Sequence, residues 1–352
     1  MGACLRVASL LSPGRETVDA AELAKGLIPV DNPMLDPTFF LASLSSSWAP
    51  RIVAIKEAGI IVGLVYVKER KVLGLPTGIL YADGSLGTMQ IGDPHLREDA
   101  LRLALDALLA HPRTRGIRLK LPPGGPEVQA VRQIIASQPL DVTFSRLKEH
   151  SRLILPNDYE TFLKSLGSTT RHNFRYYRRR FEAAGHRFEE ILSMDELRLA
   201  ACQLRAKCRR STSRSALDRL LQMVSAASRR WAFGLKDKDG RWISVAAGCY
   251  WGSRAVLFLQ LNNDREFGRS SLAVVHRANL IERFIQEGVS DFIFWTGAGP
   301  TLSPYCCCVP ALVVSLDNQR HGWRLARVLA SQIAQWMPHS LAADLRIVAA
   351  SK

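Results

Sequence analysis

The chain has 352 residues, of which 47% are hydrophobic and 22% charged, and its formal net charge is +15. That size admits two domains, and the composition is that of an ordinary soluble globular protein. No apolar run approaches the ~20 residues that a membrane-crossing helix needs, which excludes a helical span. The positive charge suits nucleic acid, anionic lipid or a polyanionic small molecule such as coenzyme A, without choosing among them.

The start, Met1 to Arg6, lacks a basic head followed by a long apolar stretch, and Arg6 stands where a myristoylation pattern has Ser or Thr. A cytoplasmic location is expected by default. The 7 cysteines are irregularly spaced and include no CxxC pair, so reduced thiols and no metal site are expected.

The first 30 or so residues show weak periodicity and predict no element. Arg51 to Ile55 and Ile60 to Val67 read as a hairpin around Glu57-Ala58-Gly59, with further strands at Thr77 to Tyr81 and Gly87 to Ile91. Leu101, Leu105, Leu108 and Leu109 recur at helical spacing in a helix over 96–110. A strand at Gly116 to Leu121, a helix over 128–137 and two strands, Val142 to Lys148 and Ser151 to Leu155, follow. Asn157 is positioned to cap a short helix. A second helix opens at Ser168 or Thr169 and stops at Gly185, and His186 to Ile191 reads as a short strand. Ser193 with Glu196 forms a capping box for a helix to about Lys207. After a basic break at Arg209 to Arg214 come a helix over 217–227 and strands at 231–236, 242–251 and 254–261. A helix over 270–287, a strand at 291–295, a loop over 296–310, a strand at 311–316 and a helix over 321–336 complete the reading.

Two stretches share one order of elements: strand, turn, strand, strand, helix, strand. One is Arg51 to Leu121 and the other Trp231 to Trp295. Sequence identity is low, so this is an echo in pattern. The strand-to-helix turns differ. The second copy has Asp264-Arg265-Glu266-Phe267-Gly268-Arg269-Ser270-Ser271, with hydroxyls, cations and a glycine at a helix start. Such a start offers unpaired N–H groups and the positive end of the dipole to a pyrophosphate. The first copy has Gly92-Asp93-Pro94-His95, where the proline lacks an N–H and the acid repels phosphate. A phosphate-bearing ligand is expected on the second lobe alone.

These residues resemble the GNAT N-acyltransferase superfamily, in the branch of CelD-type polysaccharide-associated acetyltransferases and Fem-type peptidoglycan aminoacyltransferases. Arg265 to Ser270 is similar to the phosphate turn Gln/Arg-x-x-Gly-x-Gly/Ala. Ser168-Thr169-Thr170-Arg171-His172-Asn173-Phe174-Arg175, running to Gly185, is similar to an arginine-rich helix signature. Asp264 with Ser270-Ser271 falls where the branch has Asp-Pro and then Ser-Pro-Gly. Ser271 replaces that proline. The terminal Gly-x-x-x-Tyr-Lys pattern is incomplete, since Tyr305 is followed by Cys306.

The resemblance implies α/β architecture with two tandem GNAT-like lobes, each a mixed, mostly antiparallel sheet flanked by helices. Residues 1–155 form the lobe without a phosphate turn, and 156–352 the lobe with the arginine-rich helix and the cofactor site. It implies acetyl-CoA or another acyl-CoA as co-substrate, held by Leu261, Asn262, Arg265, Gly268, Arg269, Ser270 and Ser271. Tyr305, Asp264 and His172 are the catalytic candidates, and Arg171, Arg175 and Arg178 the acceptor-binding ones. His276 lies within the cofactor helix and reads as structural, and Cys306-Cys307-Cys308 as packing thiols.

The expected reaction moves an acyl group, most simply acetyl, to an amine or hydroxyl of a small molecule, sugar or envelope precursor by direct attack on the thioester. One alternative is aminoacyl transfer from aminoacyl-tRNA, as in Fem-type proteins. A second is a basic nucleic-acid-binding module without catalysis.

Overall fold

The computed structural model describes residues 5–10, 35–58, 60–83, 89–91, 94–209, 212–295 and 297–318. Expectations for Gly92, Asp93, and the helix over 321–336 lie outside these. The chain divides into two compact units. Among the described residues, the first holds 5–10, 46–147 and 310–318, and the second 35–45 and 148–309.

In the first unit the strands β1 (Leu5–Leu10), β2 (Trp48–Glu57), β3 (Ile60–Val72) and β4 (Leu75–Asp83) pair antiparallel in succession, and β5 (Met89–Ile91) pairs antiparallel with β3. The helix Arg97–Ala110 then crosses over, and β6 (Gly116–Leu121) runs parallel to β4. Helix Pro126–Ser137 follows. Val53, Val65, Leu80, Leu119 and Val314 meet Leu101, Leu105, Val131 and Ile134 in the core. Each such side chain contributes roughly 1.5–3 kcal/mol when fully buried.

The second unit repeats the plan. β9 (Arg230–Lys236), β10 (Trp242–Trp251) and β11 (Arg254–Asn262) form an antiparallel meander, with β8 (Arg187–Glu190) on β9. Helix Leu272–Gln286 crosses over, and β12 (Asp291–Phe294) runs parallel to β11. In both places the helical crossover carries the chain back, so that the flanking strands run parallel. Its core is rich in rings: Phe162, Phe174, Trp231, Phe233, Phe284 and Phe292.

Each sheet is completed by a strand that the sequence places with the other half. β7 (Leu140–Ile154) pairs antiparallel with β12 through residues 151–154, and β13 (Cys307–Asn318) pairs antiparallel with β6. The units are therefore discontinuous in sequence, in contrast to one boundary near residue 155.

Several local expectations change. The two strands read over 142–155 are the single strand β7. Asp158, not Asn157, accepts the capping bond from Thr161 N–H. The weak N-terminal periodicity hid β1, an edge strand. The loop expected over 296–310 contains a helical turn at Gly299–Leu302 and the start of β13.

Candidate functional site

The candidate cradle lies in the second unit between β11 and its crossover helix. The helix does not begin at Ser270. Asp264–Phe267 forms one short helical turn and Gly268–Ser270 a 3-10 turn, and the long helix starts at Leu272. Asn263 is buried and caps the first turn, accepting from the Glu266 N–H at 3.2 Å while its amide donates to Glu266 Oε2 at 2.9 Å. The Asn-x-x-Glu spacing is a capping-box variant that was legible in the sequence.

The break between the turns comes from Ser271, whose φ of 46° is left-handed. That is uncommon outside glycine, asparagine and aspartate. Gly268, by contrast, has a right-handed φ of −56° that any residue adopts. Its value is space: a side chain built there meets nothing within 4 Å. Arg265, Gly268 and Arg269 are exposed. Among the described residues, neither arginine forms an ion pair, neither Ser270 nor Ser271 uses its hydroxyl, and no carbonyl accepts from the N–H of Leu272 or Ala273. No acid lies in the first turn of this helix. An open surface with unsatisfied donors and two unpaired cations fits a pyrophosphate.

The remaining cradle candidates face inward. Leu261 is buried in the core. Asn262 Oδ1 accepts from Ser244 Oγ at 2.7 Å, and Ser244 Oγ lies 2.6 Å from His276 Nδ1. Ser244 and His276 are fully buried, and among the described residues no hydrogen bond of ordinary geometry reaches His276 Nε2. Burial, then the Arg277 charge, lowers the His276 pKa to about 3. This imidazole is neutral at ordinary pH and walled by Phe188, so it orders the strand end before the cradle. Asp264 Oδ2 accepts from the Arg209 N–H at 3.1 Å, and Glu266 pairs with Lys207 at 2.8 Å. Both acids fasten the turn to the end of helix Met194–Arg205.

β12 ends at Phe294, so its ladder with β11 covers Arg254 to Leu257, and β11 runs on past it to Asn262. Arg277 lies beside that end: its Nε donates to Gln260 Oε1 at 3.1 Å, its Nη1 donates to the Ala298 carbonyl, and its guanidinium lies over Phe294. Burial pulls its pKa down, which marks a cation held mainly by neutral acceptors.

The arginine-rich helix runs from Ser168 to Ala183. Phe181 packs with Leu272 and Val275, and Tyr177 and Phe267 close the same cluster, so this helix and the cradle share one small core. Its arginines divide. Arg178 is bound to Glu282 at 2.6 Å and Glu182 at 3.0 Å, and those carboxylates raise its pKa against the lowering effect of burial. Arg175 pairs with Glu160 at 2.6 Å. Arg171 forms no ion pair among the described residues. His172 is exposed and stacks on Tyr176 at 5.8 Å between centroids.

Tyr305 meets the start of the same helix. Its hydroxyl accepts from the Gly167 N–H at 2.9 Å and donates to Thr170 Oγ1 at 3.2 Å. The Thr170 bond, then the Gly167 N–H, lowers its pKa. Cys306 is half-buried and Cys307 exposed. Among the described residues, no group of three or more His, Cys, Asp or Glu side chains could hold a metal ion.

Residues 168–305 match the Acetyltransferase (GNAT) domain family. A search of curated proteins finds no match. Among solved structures the chain is similar to FemX, with a TM-score of 0.54 and 11% identity over 82% of this chain and 88% of that one. It is similar to the C-terminal domain of a lysylphosphatidylglycerol synthetase from Agrobacterium fabrum, with a TM-score of 0.53 and 11% identity over 86% and 92%. L-PGS from Bacillus licheniformis gives a TM-score of 0.54 and 11% identity over 92% and 98%. At such identity the likeness is one of fold. The 168–305 segment, which matches the Acetyltransferase (GNAT) domain family, carries both the arginine-rich helix and the cradle, and the chain as a whole is similar in fold to FemX.

Proposed function

We propose that the second lobe binds an acyl-CoA at the Arg265–Leu272 turn and transfers its acyl group to an amine or hydroxyl of a small molecule, sugar or envelope precursor. The observation that carries this is the open surface at Gly268, flanked by unpaired Arg265 and Arg269 and by the free N–H groups of Leu272 and Ala273. Backbone N–H groups and the two cations hold the pyrophosphate. The bound molecule supplies the thioester as acyl donor, and a cytoplasmic location fits that supply. β11 runs on past the end of β12, and the arm of the bound molecule would lie along that stretch. Tyr305, its pKa lowered by two hydrogen bonds, is the proton donor of this reading. Asp264 holds the Arg209 N–H and His276 is buried and neutral. His172 is therefore the exposed base candidate, and Arg171 and Arg175 flank it on the same helix as acceptor contacts. The first lobe, with Pro94 and two acids at its helix start, holds no phosphate.

Calorimetry with acetyl-CoA and CoA on wild type and Gly268→Asp tests the reading. The backbone there is right-handed and the space open, so Asp folds without strain. Equal affinity in both proteins ends the assignment.

A second reading, aminoacyl transfer from aminoacyl-tRNA, is favoured by the exposed His172–Tyr176 stack on a helix that also presents Arg171, Arg179 and Arg180. A ring stack among cations suits an unpaired nucleic-acid end. tRNA binding that collapses with salt and is lost in Tyr176→Ala supports it. A tRNA affinity untouched by that change removes it.

A further inference from the structure

One end of the first unit's sheet has a feature that acyl transfer does not use. β3 and β4 are joined by the two-residue turn Leu73-Gly74, with Val72 opposite Leu75. Both turn residues are left-handed, Leu73 at φ 52° and Gly74 at φ 80°. Such turns favour Asn-Gly or Gly-Gly, and a leucine in this region is strained. It gains no packing in return. Leu73 is 86% exposed, the most exposed large hydrophobic among the described residues, and Leu75 is 71% exposed. A side chain built at Gly74 meets nothing within 4 Å. The tip projects past its neighbour, since β2 begins at Trp48, opposite Arg70.

The surroundings of the tip are basic. Lys71 lies beside it. β6 starts parallel to β4, so Arg113 and Arg115, both exposed in the loop before β6, stand at the same end. Two acids of this end are engaged. Glu69 is buried against Arg51 at 2.6 Å and accepts from the Gly78 N–H, and Asp317 pairs with Arg118 at 2.9 Å. Trp48 lies beneath Lys68 and Arg70. Tryptophan and basic side chains are the residues that settle at a membrane–water interface.

We propose that the Leu73–Leu75 hairpin tip docks the protein on an anionic lipid surface, the leucines entering the acyl boundary and Lys71, Arg113 and Arg115 meeting headgroup phosphates. Two exposed leucines need an apolar phase, which a nucleic acid does not offer. A second copy of the chain would bring two basic ends together. Apolar insertion combined with basic attraction is the two-signal arrangement that gives stable peripheral binding. This inference is independent of the acyl-CoA reading.

The test is co-sedimentation of the full chain with phosphatidylcholine vesicles prepared with and without phosphatidylglycerol. Binding is expected only with phosphatidylglycerol. It should fall about tenfold or more in Leu73→Asn/Leu75→Ser and in Lys71→Glu/Arg113→Glu. Asparagine tolerates the left-handed turn, so the first variant keeps its fold, checked by an unchanged thermal melt. Equal vesicle binding by wild type and Leu73→Asn/Leu75→Ser leaves only general charge attraction and overturns the proposal. A wild-type dimer in sedimentation velocity that the leucine changes dissociate overturns it in favour of self-association.

Discussion

The two crossover helices of this protein occupy the same place in the same supersecondary plan and have opposite chemistry at their starts. Helix Arg97–Ala110 is preceded by a turn that begins with Pro94 and has Glu98 and Asp99 in its first turn. Helix Leu272–Gln286 has no acid there and is preceded by the open Gly268 and the exposed Arg265 and Arg269. Their buried faces differ too. The first buries only alanines and leucines, whereas the second buries His276 and Asn279 among its apolar residues. A helix that serves only as a sheet cover is packed with hydrocarbon. The one that follows the candidate cradle has polar groups underneath, where they fix the end of β11.

The largest effect expected from that difference is on acid stability. His276 has its pKa lowered to about 3 from an unfolded value of 6.5. Between those values the unfolded chain binds a proton that the native one does not. The stabilising contribution of the neutral imidazole is therefore complete above 6.5 and is lost as pH falls toward 3. The window corresponds to on the order of 3–5 kcal/mol. Urea melts at pH 7 and pH 4 should show His276→Leu less pH-dependent than wild type. Hydrogen exchange in acid should open the second lobe before the first. Parallel slopes for the two proteins would mean that the buried network carries no such linkage.

Ligand binding should sharpen the same contrast. Calorimetry is expected to find one CoA site per chain, and Gly268→Asp to weaken it about a hundredfold, near 2.7 kcal/mol, by setting a carboxylate against the pyrophosphate. Glu98→Gln/Asp99→Asn in the first lobe should create no second site, because Pro94 still lacks an N–H. Two equivalent sites in wild type would erase the asymmetry.

Much of this contrast was legible in the sequence. Apolar runs and turn residues were enough for the two meanders, because strands such as Trp242–Trp251 are near-continuous apolar runs that end at Gly252. The Arg265–Ser271 turn stood out through composition. The exchange of β7 and β13 between lobes was not legible, since a strand's own pattern does not name its partner. Ser271 took the left-handed position that a reader assigns to the neighbouring glycine. Arg175 and Arg178 read alike as acceptor-binding candidates, but only packing reveals Glu282 as the partner of Arg178. The roles of Ser244 and His276 depend on a contact between residues 32 apart in sequence. Only the Asn263–Glu266 cap was local enough to have been found.

Each lobe also ties its crossover helix to another helix by an ion pair. Arg178–Glu282 is 2.6 Å long with both side chains about a quarter exposed. Arg97–Glu127 is 3.6 Å long with the arginine 40% exposed. Glu282→Gln should destabilise by about 1–2 kcal/mol, because it leaves a half-buried guanidinium with only Glu182. Glu127→Gln should cost no more than about 0.5 kcal/mol. Denaturant midpoints measure both, and a larger loss in Glu127→Gln would reverse the ranking of the two interfaces.

Tyr305→Phe should have a modest effect on stability and a more telling one on rate. Its hydroxyl satisfies the Gly167 N–H and donates to Thr170, both at the start of the arginine-rich helix. Removing it should lower stability by about 0.5–1.5 kcal/mol, the net worth of a hydrogen bond at a partly exposed site. If the hydroxyl only caps that helix, kcat and its pH profile stay at wild-type values once the protein is folded. If it protonates the leaving thiolate, kcat falls by about two orders of magnitude or more with KM little changed, and the alkaline limb of the pH profile disappears. The bond to Thr170 gives a further handle. Thr170→Val removes the hydroxyl whose bond does most to lower the Tyr305 pKa, so it should move that alkaline limb upward while leaving Gly167 satisfied. A limb that does not move in Thr170→Val separates Tyr305 from proton transfer and leaves the first turn of the arginine-rich helix as its role.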